Sequence, residues 1–288
     1  MPSLLCCDGS VDDDAPEVLR NVAEQLATEA ADFVRRRRPE LFERSAGTWV
    51  RTKSSQTDPV TVADTETERL LRASLARLRP GEPILGEEGG GAGAAPGGVR
   101  WVVDPIDGTV NFIYGVPAYA VSVAAQVDGV SVAGAVADVV RGEVYSAALG
   151  RGAELITVGA RQRLRCNGID DLTMALVGTG FGYEPQRRAL QAGLLAKVLP
   201  MVRDVRRIGS AALDLCMVAA GRLDAHYEHG LHVWDWAAGA LIAAEAGAVV
   251  VLPGDDGGGA PLTLAAAPGI AAQLTATLDR YGGLRPLE

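Results

Sequence analysis

WVVDPIDGTVNF, at residues 101–112, joins an apolar strand pattern to a tight turn and to the start of a helix. The strand pattern ends at Asp104, where Pro105 removes a backbone donor and stops the ladder of hydrogen bonds. Asp107 follows shortly after, and Gly108 permits the tight backbone that the turn requires. The pattern therefore predicts two carboxylates on one short turn at the end of a buried strand.

The residue types in this turn suit a divalent cation. Asp104 and Asp107 can bind an ion from adjacent sides, and the backbone carbonyl of Ile106 lies between them in the sequence. Hard oxygen ligands of this kind favour magnesium over zinc. The backbone amides of Gly108 and Thr109, at a helix start, form a pocket for an anion. A lone Asp-Gly pair is usually only a turn, so it is the whole segment that indicates a metal site.

Further carboxylates lie near the ends of predicted elements. Glu87 and Glu88 follow a strand, where either one of them joins the metal site or both are solvated. Asp235 stands between two tryptophans at a helix start, a setting that buries the carboxylate and requires a partner such as a metal. Asp64, before an earlier helix, has the simpler interpretation of a helix cap. Without cations these acids would repel one another, so we expect two or more magnesium ions and metal-assisted hydrolysis of a phosphate ester.

The surrounding sequence predicts two sheet-containing regions. Short β-branched segments separated by turn signals indicate an antiparallel sheet, with strands at 100–103, 119–127, 130–137 and 142–148. After about residue 160, helical patterns alternate with short apolar strands, which is typical of a layered α/β region. Those helices are expected near 185–202, 209–220 and 235–246, and those strands near 175–179, 223–227 and 248–252. We expect an N-terminal α+β domain over 16–158 that carries most metal ligands, and a C-terminal α/β domain over 159–288.

Two helices are predicted ahead of the central segment. Residues 16–38 carry apolar side chains in helical rhythm, and Arg35–Arg38 suit the negative end of that helix. A second helix is expected to begin near Thr65, with Thr65 and Glu68 forming a capping box. The Gly/Ala-rich stretch 89–98 predicts an exposed, mobile loop.

The composition is that of an acidic globular protein. The chain has 288 residues, 48% of them hydrophobic and 22% charged, and a net charge of −9. These values exclude disorder as the main state and disfavour a general nucleic-acid binder, which is usually basic. No apolar run reaches the roughly 18–20 residues of a membrane helix.

The cysteines and the N-terminus indicate a cytoplasmic protein. The four cysteines, at positions 6, 7, 166 and 216, match no zinc-binding spacing, and such sparse thiols suggest a reducing compartment. Residues 1–15 have no basic region before an apolar core, so we expect a flexible acidic tail rather than a signal peptide.

Five segments, in this order, resemble the inositol monophosphatase family of magnesium-dependent, lithium-sensitive phosphatases, and most of all its bacterial members. They are KSSQTDPVTVADTETE, GEEG, WVVDPIDGTVNF, RRIGSAALDLCMVAAGRLDAHYEHG and WDWAAGALIAAEAGA. The resemblance implies a layered αβαβα sandwich with an N-terminal antiparallel sheet and a C-terminal mixed sheet, usually as a homodimer. It also implies two or three Mg²⁺ ions per site and hydrolysis of inositol-1-phosphate by an activated water.

The resemblance also implies roles for individual residues. The implied metal ligands are Glu87, Asp104, the carbonyl of Ile106, Asp107 and Asp235, and Glu87 also supports the attacking water. Asp64 and Thr109 are implied to hydrogen-bond each other and to orient that water. The implied substrate contacts are Asp107, Gly108, Thr109, Val110, Arg206, Gly209, Ser210, Ala211 and Glu228. Lys53 lies in the stretch that resembles a flexible loop closing over the site.

Three functions stay open at this point. The first is hydrolysis of inositol-1-phosphate, because Glu228 followed by Gly230 fits an inositol-type pocket. The same metal core also serves histidinol-phosphatases and broad sugar or nucleotide phosphatases, and a carboxylate at position 228 also suits a cationic amine. The third is regulatory binding to the transcription machinery, for which the only signal is the set of basic side chains at 35–38, 203, 206 and 207.

Overall fold

The computed structural model describes residues 13–44, 50–52, 59–91, 93–253 and 262–287. Within these ranges the chain forms two large sheets, one short antiparallel strand pair and seven α-helices. Cys6, Cys7 and Lys53, which the sequence singled out, lie outside the described residues.

The larger sheet lies in the N-terminal half, after the short pair β1 (Val50–Thr52) and β2 (Pro59–Thr61). Its strands are β3 (Ile84–Gly86), β4 (Val99–Asp107), β5 (Ala120–Val127), β6 (Val130–Asp138), β7 (Glu143–Ala148), β8 (Gly152–Thr157) and β9 (Ala160–Arg163). They lie side by side in chain order. β3 pairs with β4 in parallel, and every other neighbouring pair is antiparallel. The predicted antiparallel sheet is confirmed, with one parallel strand added at its edge.

The smaller sheet lies in the C-terminal half and is mixed, as predicted. Its strands are β10 (Leu176–Thr179), β11 (Asp204–Arg206), β12 (Ala225–His229), β13 (Val249–Val251) and β14 (Leu262–Ala266), in the order β11-β10-β12-β14-β13. β10 is parallel to both of its neighbours, whereas β14 is antiparallel to both of its own. The β8–β9 hairpin spans residue 158, and the division of the chain into two domains at that point stays a prediction.

The helices separate and cover these two sheets. They are α1 (Pro16–Arg44), α2 (Val62–Leu78), α3 (Thr109–Tyr114), α4 (Pro185–Val198), α5 (Ala211–Ala219), α6 (Val233–Glu245) and α7 (Pro268–Arg280). α1 and α2 pack on one face of the larger sheet, and α5 and α6 lie between the two sheets. α4 and α7 cover the far face of the smaller sheet. The order helix, sheet, helix, sheet, helix confirms the αβαβα sandwich.

The larger sheet is buried on both faces, which explains why its strands are apolar with little alternation. Trp101 and Val103 of β4 pack on the α1–α2 side, while Val102 between them packs on the side of α5 and α6. Gly134 of β6 permits close contact with α6, because a Cβ added there would lie 3.0 Å from Ala238. α6 also contacts β4, the strand that carries the central aspartates.

The second helix begins earlier than predicted. Its N-cap is Thr61, and its capping box joins Thr61 to Asp64 rather than Thr65 to Glu68. The physical reason is that the extended backbone of β2 ends at Thr61, so this side chain is placed to cap, whereas Thr65 already lies inside the helix. Glu68 is thereby left for another role, described with the site.

The expectations for the surface are met in part. The described residues of 89–98 are mostly exposed, as predicted, and the stretch begins beside a turn closed by two backbone hydrogen bonds between Gly86 and Gly90. Arg35 and Arg38 donate to backbone carbonyls of the larger sheet and of α3, so part of the arginine run holds α1 in place. Every helix within the described ranges is too short or too polar to span a bilayer.

Candidate active site

The end of β4 departs from regular strand geometry where the two central aspartates stand. The register between β4 and β5 shifts between Asp104 and Asp107. Within this irregular stretch, the amide of Ile106 donates to Oδ1 of Asp104 over 3.0 Å. Gly108 then takes a φ of +95°, and a Cβ there would lie 2.9 Å from the carbonyl oxygen of Ala118. Glycine is the residue that fits this turn, as the sequence pattern predicted.

Asp107 is held by the N-terminus of α5, an element of the C-terminal half. Its Oδ2 accepts a hydrogen bond from the hydroxyl of Ser210 at 2.6 Å and another from the amide of Ala212 at 2.7 Å. Ser210 is also the N-cap of α5. The positive end of the helix thus faces a carboxylate, which stabilises the negative charge.

Asp235 occupies the third position of α6. Its Oδ2 accepts a hydrogen bond of 2.6 Å from the amide of His232, the N-cap residue. Trp234 and Trp236 on either side are half-buried. Asp235 therefore caps its own helix and also lines the cavity into which Asp104 and Asp107 open.

These three aspartates form a tight acidic group. Asp104, Asp107 and Asp235 each offer a carboxylate oxygen, and these oxygens lie within 4.8 Å of one another. Burial, followed by repulsion from Glu87 and Asp107, raises the pKa of Asp104 well above its ordinary value. Burial also raises the pKa of Asp235, and it raises that of Asp107 to about 6 although the Ser210 hydroxyl opposes the shift. A divalent cation with oxygen ligands would neutralise this group, so the donor set fits Mg²⁺.

The acidic group lines a cavity of about 420 Å³. Glu87 and Ile106 line the same cavity. The structure therefore brings the five predicted metal ligands to one place, and their roles as ligands stay predictions.

The predicted contact between Asp64 and Thr109 is present. The Thr109 hydroxyl lies 3.1 Å from Oδ1 of Asp64 and 3.0 Å from the carbonyl oxygen of Ile106. Oδ2 of Asp64 accepts hydrogen bonds from the amide of Thr61, at 2.8 Å, and from the Thr61 hydroxyl. Burial, opposed by these hydrogen bonds, raises the pKa of Asp64 to about 7. A carboxyl that titrates near neutral pH is suited to accept and release a proton there.

Glu68 supports the turn that carries Glu87, a role that the sequence did not predict. Its buried carboxylate accepts hydrogen bonds from the amides of Glu88, at 2.7 Å, and Gly89, at 2.9 Å. A Cβ added at Gly86 or at Gly89 would lie 2.5 or 2.6 Å, respectively, from the Glu68 carboxyl group. The glycines that flank the two glutamates therefore leave room for Glu68. The sequence signal for this role is that Glu68 is an acidic residue on the apolar face of α2.

Most of the predicted substrate-binding residues line the cavity. They are Asp107, Gly108, Thr109, Gly209, Ser210, Ala211 and Glu228. Val110 is half-buried on α3 and is absent from the described cavity wall.

Arg206 is a second predicted substrate contact that is absent from the described cavity wall, and its role stays a prediction. Arg206 is exposed, and its guanidinium pairs with Asp204 at 2.6 Å, whereas Arg207 lines the cavity. β11 ends at Arg206, and consecutive side chains of an extended chain point to opposite sides. Of these two arginines, Arg207 is the one that lines the described cavity.

Asn111 is a further residue that the sequence analysis did not assign. Its Nδ2 donates to the carbonyl oxygens of Ala118, at 2.7 Å, and Ile208, at 2.9 Å. These bonds tie α3 to the loop that carries Gly209 to the cavity. The sequence contains a signal for this role, because Asn111 is a polar residue among apolar neighbours at the end of the central segment.

Comparison with known proteins agrees with this geometry. The chain matches the inositol monophosphatase family over residues 15–282. An inositol-1-monophosphatase from Mycobacterium leprae is 66% identical, over 96% of this chain and 99% of its own length. The solved structure of Mycobacterium tuberculosis SuhB is similar with a TM-score of 0.82 and 60% identity, covering 95% of this chain and 100% of that one. A Pseudomonas aeruginosa protein named Nus factor SuhB is 41% identical, over 80% of this chain and 83% of its own. The chain belongs to the inositol monophosphatase family of phosphatases.

Proposed function

We propose that this enzyme hydrolyses inositol-1-phosphate to inositol and phosphate, with two or three Mg²⁺ ions held in the acidic cavity. The observation that carries the proposal is the meeting of Asp104, Asp107 and Asp235, whose carboxylate oxygens lie within 4.8 Å of one another. Glu87 and the carbonyl of Ile106, which line the same cavity, would complete the ligand set. The proposed ligand set consists of oxygen donors, which favour a hard cation such as Mg²⁺.

Hydrolysis requires a positioned water and a place for its proton. Bound in the cavity, Mg²⁺ would stabilise charge on the phosphate group and make the attacking water more acidic. The Thr109 hydroxyl donates to Asp64, so a lone pair of the Thr109 oxygen is available to accept a hydrogen bond from that water. Asp64, which accepts the hydrogen bond of the Thr109 hydroxyl, receives the proton that Thr109 passes on.

The two ends of the substrate would be held by different residues. The backbone amides of Gly108 and Thr109 would bind the phosphate group, as peptide N–H groups at a helix start do. Glu228 lines the cavity and would accept hydrogen bonds from hydroxyl groups of the inositol ring. A carboxylate at this position disfavours a second phosphate group in the substrate, since two negative charges would be brought together.

Phosphate release from a panel of substrates tests this proposal. The panel comprises inositol-1-phosphate, histidinol phosphate, fructose-1,6-bisphosphate and adenosine 3′,5′-bisphosphate, each assayed with Mg²⁺, with EDTA and with added Li⁺. We expect a preference for inositol-1-phosphate that depends on Mg²⁺ and is inhibited by Li⁺. We also propose that the enzyme is a homodimer in the cytoplasm. A preference for histidinol phosphate would keep the metal chemistry but replace the substrate. A broad sugar or nucleotide phosphatase would hydrolyse several members equally, and no hydrolysis at all would refute the proposal.

One finding favours a second function. Relatives named Nus factor SuhB are 37–41% identical to this chain. We therefore propose regulatory binding to the transcription machinery as the alternative role. Binding of the Asp104→Asn variant to purified transcription proteins tests it, because a binding role should survive the loss of catalysis. No binding by either wild type or variant would exclude this role.

A further inference from the structure

Two buried residues behind Glu228 have no part in the reaction described above. His226 is fully buried and Asp214 is 1% exposed, whereas Glu228 lines the cavity. Nε2 of His226 lies 3.6 Å from Oε2 of Glu228, and Nδ1 of His226 lies 3.8 Å from Oδ2 of Asp214. The imidazole therefore stands between a carboxyl group deep in the protein and one at the cavity.

The cluster of Asp214, His226 and Glu228 contains unpaired polar atoms. Within the described part of the chain, neither nitrogen of His226 has a hydrogen-bond partner, and Oδ1 of Asp214 has none. Buried polar groups in native proteins are nearly always paired. The two gaps exceed hydrogen-bond length by only about 0.5 Å, so small shifts of the two carboxyl groups toward the imidazole pair both nitrogens with the acids that they face.

Glycines on the neighbouring strand make room for this cluster. Gly178 of β10 is the register partner of His226, and a Cβ there would lie 3.1 Å from Nδ1 of the imidazole. A Cβ at Gly180 would lie 2.0 Å from Oε2 of Glu228. Residues two apart on an extended chain face the same side. The space for His226 and Glu228 is therefore built into β10 and the residue that follows it.

Hydrogen-bond chemistry determines how the cluster is paired. A neutral imidazole has one N–H and one acceptor nitrogen, so it donates to one carboxylate and accepts from a protonated carboxyl group on its other side. Burial lowers the pKa of His226 to about 3, which keeps the ring neutral. Burial raises the pKa of Asp214 well above its ordinary value, and that of Glu228 to about 8. Asp214 lies deeper in the protein than Glu228 and faces Nδ1, so it holds the proton and donates to Nδ1. Donation from Nε2–H then stabilises the ionised form of Glu228 against its burial.

We infer that His226 is a positioning residue for substrate recognition: it holds one carboxylate oxygen of Glu228 and leaves the other to accept hydroxyl groups of the substrate. The inference rests on the proposed function, because the loss of His226 changes the KM only for a substrate with hydroxyl groups near Glu228. His226 is absent from the described cavity wall and acts through Glu228. The KM for a polyhydroxylated substrate therefore depends on His226, and the hydrolytic step does not.

Steady-state kinetics on two substrates tests this role. Inositol-1-phosphate carries ring hydroxyl groups, and p-nitrophenyl phosphate carries none. His226→Phe should raise the KM for inositol-1-phosphate about tenfold, the effect of losing one hydrogen bond to a charged group. It should change kcat for both substrates, and the KM for p-nitrophenyl phosphate, by less than about twofold. His226→Gln should restore most of the KM, because an amide also donates and accepts.

Tyr227→Phe is the matched control. Tyr227 is a buried neighbour of His226 on β12 and packs on the opposite side of that strand, so this variant should leave both KM values unchanged. Thermal unfolding of each variant shows whether it is folded. If His226→Phe does not fold, His226→Leu, with a side chain smaller than phenylalanine, should show the same rise in the KM for inositol-1-phosphate.

The outcomes distinguish the role of His226 from the proposed hydrolysis of inositol-1-phosphate. An unchanged KM for inositol-1-phosphate in the apolar variants overturns the inference, and so does an equal loss on both substrates. A wild-type enzyme that shows no preference for inositol-1-phosphate overturns the proposed function, and the inference with it.

Discussion

Each aspartate of the acidic group accepts hydrogen bonds from the protein at one carboxylate oxygen, and we propose that the other oxygen binds an ion. The groups that hold Asp104, Asp107 and Asp235 are the amide of Ile106, the hydroxyl of Ser210 with the amide of Ala212, and the amide of His232. Hydrogen bonds of this kind fix the direction of a ligand before the ion arrives. Removing the charge of one aspartate should therefore affect ion binding more than the fold.

Asp104→Asn should reduce the kcat for inositol-1-phosphate by about 100-fold or more, because it removes the charge of a proposed metal ligand. Phosphate release measures the loss, and thermal unfolding verifies that the variant is folded. Asp138→Asn is the matched control, since Asp138 is a buried acid that accepts backbone hydrogen bonds outside the cavity wall. Retention of more than about a tenth of the activity by Asp104→Asn would refute its role as a metal ligand.

Thr109→Val should lower kcat by about 10- to 100-fold and leave the Mg²⁺ concentration for half-maximal activity unchanged. The reason is that the hydroxyl is proposed to pass a proton to Asp64 while the metal ligands stay in place. Thr67→Val serves as the comparison, because Thr67 is a buried threonine of α2 with no hydrogen-bond partner for its hydroxyl in the described part of the chain. A Thr109→Val enzyme with wild-type kcat would remove Thr109 from the mechanism.

Helix α2 supports the site as an element, with Asp64 at its start and Glu68 one turn later. Glu68 holds the turn that carries Glu87 through the amides of Glu88 and Gly89. Two hydrogen bonds therefore join the helix to the turn. The position of Glu87 depends on α2 even though the two are separate in the sequence.

Glu68→Ala should lower the free energy of unfolding by about 1–3 kcal/mol, because it leaves two amides without an acceptor. It should also reduce activity by about tenfold and raise the Mg²⁺ requirement, since Glu87 loses its support. Urea unfolding and a Mg²⁺ titration of activity measure the two effects. Glu66→Ala breaks a surface pair with Arg37, so a loss below about 1 kcal/mol and normal activity are expected. Equal behaviour of the two variants would mean that the turn does not need Glu68.

The elements differ in how far the sequence predicts them. The strands of the larger sheet are recognisable because burial on both faces makes them apolar, and the irregular end of β4 is recognisable because Pro105 and Gly108 restrict the backbone locally. The roles of Glu68 and Arg207 were not predictable in the same way. Glu68 depends on contacts with amides distant in the chain, and no local pattern distinguishes Arg207 from Arg206, since both are exposed.

In the whole molecule, several acids have a raised pKa in the folded state without metal. The pKa of Asp107 is about 6 and that of Asp64 about 7, both chiefly because of burial. Between the ordinary carboxyl pKa near 4 and these values, the folded state binds more protons than the unfolded state. The free energy of unfolding of the metal-free protein should therefore fall as the pH rises through this range.

EDTA-treated protein should accordingly unfold at a higher temperature at pH 5 than at pH 8. Added Mg²⁺ should raise the unfolding temperature at pH 8, because it binds the folded state and offsets the repulsion. Differential scanning calorimetry at the two pH values, with and without Mg²⁺, measures both effects. Metal-free protein that is more stable at pH 8 would show that these acids are not the main source of its pH dependence.

The place of Asp235 on α6 also bears on how the chain matures during synthesis. Asp104 and Asp107 leave the ribosome long before Asp235, and domains generally fold from the N-terminus during translation. A nascent chain that ends before α6 holds an incomplete set of acids. The ions would then bind late in biogenesis, after the larger sheet has formed. The newly made enzyme would be inactive until α6 has packed against that sheet.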